Sequence, residues 1–292
     1  MLDAFWQSLI GDLPKEWLRR AFSPAFLFWM SGLGFYILRH GWQGLWEGVR
    51  ALTPPEQIAL LVSLLALLVL SGQWMAHFRF RLLRLLEGYW PRPFGWLESA
   101  LIRRQEARQG REERLWNDLK AAEAKGPLSP LSARRLAGLE VTLHYYPAQP
   151  AQLRPTRLGN ILRAGETVPQ EKYGLFVHVC WPRLWLLLPA AVRDDLSGAR
   201  ERLMGAAELW GWGALTLVWS IWPLWAIPLA LFWLWLARSA LLTAATAYTD
   251  LLEAAFDFYR HQLYRALNWP IPEAEKEKEA GERLSEFLWR GT

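Results

Sequence analysis

One cysteine, Cys180, is the whole thiol content of this 292-residue chain, which excludes an internal disulfide and any zinc site built on cysteine. Enzyme signatures are missing too: no H-E-x-x-H, Walker loop, G-x-S-x-G or G-x-G-x-x-G occurs. Neither catalysis nor a cofactor is therefore expected. No cleavable leader is legible, because Asp3, Asp12, Lys15 and Glu16 interrupt any apolar core ahead of Arg19 and Arg20. The first apolar segment is expected to stay as an anchor. Charge is absent over the 29 residues 209–237, the most hydrophobic stretch of the chain. That stretch ends at Arg238, near the expected depth of a bilayer midplane, where a cation costs at least ~2.5–3.5 kcal/mol and marks a functional residue by default.

What is abundant is tryptophan, 20 residues, many flanking apolar runs where an amphipathic ring prefers the membrane–water boundary. The apolar runs predict four crossings in two pairs. The first crossing spans 21–38, followed by a Gly- and Trp-rich loop at 41–52. The second spans 57–76, about the 20 residues a helix needs to cross hydrocarbon. Residues 209–237 are long for one span and hold Pro223 and Pro228, so a helical hairpin is expected. One limb ends near Trp222, the chain turns over 223–228, and the second limb runs from Leu229 to about Tyr248 and on as a helix to Leu267. The fold class expected is thus mainly α: an integral membrane protein with four transmembrane helices and an intervening insertion.

Charge sets the expected orientation. Residues 77–207 carry 21 Lys/Arg against 13 Asp/Glu, whereas 251–292 carry 6 against 8. The basic excess between the spans puts that segment and both termini in the cytoplasm, with the chain multi-pass in the inner (plasma) membrane. Orientation accounts for the charge, so no nucleic-acid partner is expected. The organisation is then an interfacial segment at 1–22, a first transmembrane pair at 23–76, and a cytoplasmic domain at 77–207. A second pair at 208–249 and a cytoplasmic helical extension and tail at 250–292 complete it.

Within the cytoplasmic domain, residues 96–125 read as a charged helix and 155–166 as a helix that Thr156 caps or Pro155 opens. The aromatic and β-branched runs 140–146 and 175–181 read as short strands, making the insertion a small α+β element. His144 and His178 lie on those two runs. Residues 181–189 are too short to cross and should dip into the interface or pack beneath the spans. Residues 273–283 look mobile, and a short amphipathic end carries Leu284, Phe287, Leu288 and Trp289.

The candidate intramembrane site follows from helical spacing. Ser239, Thr243, Thr246, Asp250, Glu253 and Asp257 fall within about 80° of one another at 100° per residue, and Arg238 lies beside them. Such a stripe faces either an ion or solute path or a helix–helix contact, for which Ala240 and Ala244 have small-residue spacing. Glu253, Asp257 and His261 recur every four residues, but the paired carboxylates of a di-metal bundle are missing, so no metal is expected. Arg157, Asn160 and Arg163 could present polar groups to an anionic headgroup, nucleotide or acidic partner.

The runs Pro155–Thr156–Arg157–Leu158–Gly159–Asn160, Arg163–Ala164–Gly165–Glu166, Tyr173–Gly174–Leu175 and Trp181–Pro182–Arg183–Leu184 resemble predicted bacterial multi-pass membrane proteins of no assigned activity. That resemblance implies a membrane location and no mechanism. Four helices are few to enclose a path in one chain. The leading expectation is therefore an oligomeric channel-like or transport protein, with Arg238 favouring anions and a cytoplasmic regulatory domain. Its partners would be the lipid bilayer, further copies of itself, and a cytoplasmic protein or small ligand. The alternative is a non-conducting membrane scaffold or sensor that recruits a cytoplasmic partner.

Overall fold

The computed structural model describes residues 23–221 and 223–291, so the interfacial segment expected at 1–22 lies outside the described residues. Among the described residues the chain is mainly helical, with no strand. Ser23 opens α1 (Pro24–His40) by accepting the Phe26 amide at 3.3 Å, and Pro24 supplies a helical φ without leaving a donor unpaired. Ahead of α3 (Pro54–Glu87), the Thr53 amide and hydroxyl both donate to Glu56 Oε2, at 2.7 and 2.8 Å, in the manner of a capping box. Between them lies α2 (Trp42–Ala51). Further helices are α4 (Gly95–Glu123), α5 (Pro130–His144), α6 (Arg157–Tyr173), α7 (Val177–Leu187), α8 (Ala190–Leu215), α9 (Ala226–Ala266) and α10 (Glu277–Arg290).

These helices cluster into two compact units, residues 23–82 with 205–239, and residues 83–204 with 240–291. In the first unit, Ala25, Phe28 and Trp212 form a small core with Trp29, Met75, Trp219 and Trp233 around it. Phe28 lies 5.2 Å from the Trp212 ring and 5.0 Å from that of Trp219. Gly32 lies so close to the Trp219 ring that no side chain fits there. The Trp29 indole N–H donates to Ser71 Oγ at 3.1 Å, tying α1 to α3. The hairpin expected in 209–237 is present: α8 passes into a 3-10 turn at Thr216–Ile221, and a Cβ at Gly213 would lie 3.0 Å from Trp233 on α9. The reversal starts earlier than expected: the α-helix of the first limb ends at Leu215 rather than near Trp222, and the second limb opens at Ala226 rather than Leu229. α9 begins at Ala226, so Pro228 falls in its first turn, where no intrahelical donor is lost.

The second unit has the larger core. Leu175, Cys180, Leu184 and Leu188 from α7 and its flanks meet Leu252, Phe256, Leu263 and Tyr264 of α9, with Leu284 of α10. Thr156 caps α6 as its sequence suggests, accepting the Gly159 amide at 2.9 Å and donating to the Leu86 carbonyl at 2.8 Å. Gly174 ends α6 at φ +69°, and its missing side chain makes room for the Lys278 carbonyl; Gly281 likewise gives way to the Tyr173 carbonyl. Two glycines thus let α10 seat against α6 at backbone distance.

Four local expectations are corrected. The loop expected at 41–52 is α2, because Trp42, Leu45, Trp46 and Val49 recur at helical spacing and outweigh the propensity cost of Gly44 and Gly48. The runs 140–146 and 175–181 are not strands: Glu140–His144 belongs to the end of α5, and Val177–Trp181 starts α7. In the second run Val179, Cys180 and Leu184 share one packed side of α7, whereas Val141 of the first run is exposed. The insertion is therefore helical and not an α+β element. Residues 277–283, expected to be mobile, form the first half of α10, held by buried Ala280, Gly281 and Ser285. Residues 181–189 supply α7 and its end to the core of the second unit.

Among the described residues two helices, α3 and α9, are long and apolar enough to cross a membrane by length and composition. α1 has 17 residues, and the apolar end of α8 stops at Leu215. No residue of the apolar stretch of α3 is buried, and Ile58, Leu61, Val62, Leu65, Val69 and Leu70 are exposed.

Candidate functional site

α9 has a packed face and a polar one. Leu241, Ala245, Thr249, Leu252 and Phe256 are buried, and they recur every three or four residues. At 100° per residue that face is centred about 120° round the helix from Thr243, Thr246, Asp250, Glu253 and Asp257, so the two are neighbouring sides rather than opposite ones. Close packing therefore uses Ala245 and Thr249 rather than Ala240 and Ala244. Gly165 of α6 meets Thr249 there with no space for a Cβ, whereas Ala240 is exposed and Ala244 half-buried.

The hydroxyl part of the polar stripe is satisfied locally. Thr246 donates to the Thr243 carbonyl at 3.0 Å. Thr249, on the packed face, donates to the carbonyls of Ala245 at 3.1 Å and Thr246 at 2.9 Å. Ser239 and Thr243 are exposed. Arg238 is exposed as well and makes no hydrogen bond or ion pair among the described residues.

The acidic part meets the ends of α5 and α6. Tyr145 donates its hydroxyl to both oxygens of Asp250, at 3.0 and 3.2 Å. Lys172 bonds Glu253 directly and lies 3.8 Å from Asp257, while His144 Nε2 is 3.4 Å from Glu253. Tyr173 donates to Asp257 at 2.5 Å. Three carboxylates that read as a free acidic mouth are thus bound by four side chains of their own unit. Next along α9, Arg260 pairs with Glu277 of α10 at 2.7 Å and sits 4.2 Å above the Tyr173 ring. His261 reaches the same Glu277 oxygen at 3.2 Å.

Burial and then the neighbouring carboxylate push the phenols of Tyr145 and Tyr173 up to about 12, Asp250 acting on the first and Asp257 on the second. The folded state thus favours the protonated phenols. Their contribution is complete below the ordinary tyrosine value of ~10 and is lost as pH rises from there through about 12. Melting temperature in detergent should fall across that window, and less steeply in a Tyr145→Phe/Tyr173→Phe double variant. An identical slope in the two proteins would remove these phenols from the alkaline response.

The other candidate residues do not converge. Asn160 is buried, and its Oδ1 accepts the Arg154 amide at 2.7 Å, so it braces the turn before α6 rather than facing a ligand. Arg163 pairs with Glu166 at 3.1 Å, and Arg157 is half-buried. Glu253 and Asp257 share Lys172 while His261 turns to Glu277, and no metal-holding group of His, Cys, Asp or Glu occurs among the described residues. His144 and His178 also go separate ways, His178 stacking on Phe176 at 6.0 Å. The residues that sequence reasoning missed are Lys172, Tyr145, Tyr173 and Glu277. Lys172 and Tyr145 are 81 and 105 positions from the acids they bind, beyond any local spacing rule.

No protein-family model, curated protein or solved structure matches this chain.

Proposed function

We propose that the chain is a non-conducting membrane protein whose second unit is a folded helical body for sensing or recruitment. The observation that carries this reading is the engagement of Asp250, Glu253 and Asp257 by Tyr145, Lys172, His144 and Tyr173 of the same unit. A pore mouth needs carboxylates free to meet a passing ion; these are bonded within one chain, Asp250 while still exposed. The largely exposed apolar stretch of α3 supports the membrane location, since large apolar surface of that extent needs lipid or a partner to cover it. Trp42, Trp46 and Trp74, all exposed beside that stretch, suit the interfacial zones. The basic excess of 77–207 favours the cytoplasmic side for this body, and α1 with the apolar end of α8 would complete four crossings in the inner membrane.

A second reading, the oligomeric channel or transport protein, is favoured by exposed Arg238, Ser239 and Thr243. Arg238 stands 12 residues beyond Ala226, about 18 Å along α9 at 1.5 Å per residue. In a ~30 Å core that is past the midplane, close enough to the far boundary for its stem to carry the charge toward water. Purified wild type and Arg238→Leu in planar bilayers separate the readings. The expected result is no current from either, with assembly unchanged. A current from wild type whose selectivity shifts in Arg238→Leu would replace the scaffold with the channel.

A further inference from the structure

None of the ten residues of α2 is buried against the described residues. Its sequence is nonetheless two-sided. At 100° per residue Trp42, Leu45, Trp46 and Val49 fall within about 100° of one another. Gln43, Glu47 and Arg50 occupy the adjoining side, and Gly44, Gly48 and Ala51 the rest. Trp42 is 55% and Trp46 44% exposed, while Leu45 and Val49 are half-buried. Ten residues that include two glycines are too few to hold a helix in water unaided. Some surface must therefore take up the apolar side.

The first unit fixes where that side lies. A single residue, Gly41 at φ +82°, separates α2 from α1 and interrupts the helix in a backbone conformation open to glycine. At the other end Gln57 of α3 donates its side-chain amide to the Leu52 carbonyl at 3.1 Å and to that of Val49 at 3.2 Å. α2 is thus tied to the first turn of α3, one residue before Ile58 opens the exposed apolar stretch. At about 15 Å, α2 is too short to cross a ~30 Å hydrocarbon core. Held at both ends, it stays at the edge of that core.

We propose that α2 is an in-plane membrane-surface helix, with Trp42, Leu45, Trp46 and Val49 set into the headgroup–acyl boundary and Gln43 and Glu47 toward water. The inference rests on the membrane reading above and goes beyond it, making the segment between α1 and α3 a lipid-binding element rather than a connection. In the proposed orientation its leaflet is the non-cytoplasmic one. Two exposed indoles suit that depth, since an amphipathic ring favours the boundary over either phase. Arg50 borders the apolar side with its guanidinium 4.9 Å over the Trp46 ring, so its stem lies along lipid while its charge reaches phosphate. A second copy of the chain fits less well. A stable dimer takes roughly 800 Å² from each partner, more than four partly covered side chains can offer.

Spin labels on the full chain test this, in a Cys180→Ala background and in nanodiscs of phosphatidylcholine with phosphatidylglycerol. Trp42→Cys and Trp46→Cys sample the apolar side, Gln43→Cys and Glu47→Cys the polar side, and Leu65→Cys the apolar stretch of α3. Melting curves of each variant establish that it is folded. The ratio of oxygen to nickel-chelate collisions is expected to be several-fold higher at 42 and 46 than at 43 and 47, and highest at 65. Hydrogen exchange of the wild type, which keeps both indoles, is the second measurement. Its amides at 42–51 should exchange about ten-fold more slowly than those of a Trp42→Glu/Trp46→Glu variant, with 175–184 unchanged. Nickel access at 65 equal to that at 47 removes the membrane reading and this proposal with it. A lipid-protected 65 beside equal ratios at 42, 43, 46 and 47 overturns the proposal alone. So does identical exchange of 42–51 in the two proteins. Dipolar broadening at 42 or 46 that disappears on dilution with unlabelled chain assigns the side to a second copy and overturns it as well.

Discussion

Phe256→Ala is expected to destabilise the second unit by ~3–5 kcal/mol, the cost of emptying a large aromatic site in a packed core. Phe256 is fully buried among Cys180, Leu184, Leu252 and Leu284, and its ring stacks on Trp181 at 5.9 Å. It joins α7, α9 and α10, so the neighbours cannot close the gap without moving a whole helix. Graded denaturant unfolding, followed by near-ultraviolet dichroism of the tryptophans, measures the loss. Phe258, two positions on and 80% exposed, is the control, and its alanine variant should be close to neutral in detergent. A loss at Phe256 no larger than at Phe258 would mean that the packing of this core is wrongly described.

Leu67→Arg should have the other large effect, on membrane integration rather than folding. Leu67 lies near the centre of the apolar stretch of α3 and is 41% exposed. An arginine at the centre of a spanning helix costs ~2.5–3.5 kcal/mol on insertion scales, against a small gain for leucine. The variant should partition less into carbonate-washed membranes than wild type. Leu131→Arg, at a 79% exposed position of α5, should not change the distribution. Identical membrane retention of Leu67→Arg and wild type would count against α3 as a spanning helix.

The helices were legible wherever a local rule governs them. Hydropathy located α3 and α9, and the Thr156 cap was readable because its Oγ1 bonds an amide only three residues on. Pro223 and Pro228 signalled the reversal between α8 and α9. The errors arose where composition served as a proxy for conformation. Tyr145, Tyr146, Val177 and Val179 suit strands by propensity, yet no strand exists among the described residues; α7 takes up Val177 and Val179, and Tyr145 and Tyr146 donate their amides to the Thr142 and Leu143 carbonyls in the turn that ends α5. Residues 277–283 are polar enough to suggest a tail; Gly281 and Gly174 make them a helix by letting two backbones approach.

The order of apolar and charged residues by itself determined that the chain is mainly helical, located α3 and α9 among the four crossings expected, and placed an acidic stripe on α9. Those properties depend on periods of a few residues and on transfer free energies summed along a segment, both written locally. Only the tertiary structure decided what the stripe does. It brought Tyr145, Lys172 and Tyr173 to Asp250, Glu253 and Asp257 across 105, 81 and 84 positions, and turned the Ala245–Thr249 face onto α6. A carboxylate's role depends on which donor reaches it within about 3 Å, and chain separation carries no information about that distance once helices fold back on one another.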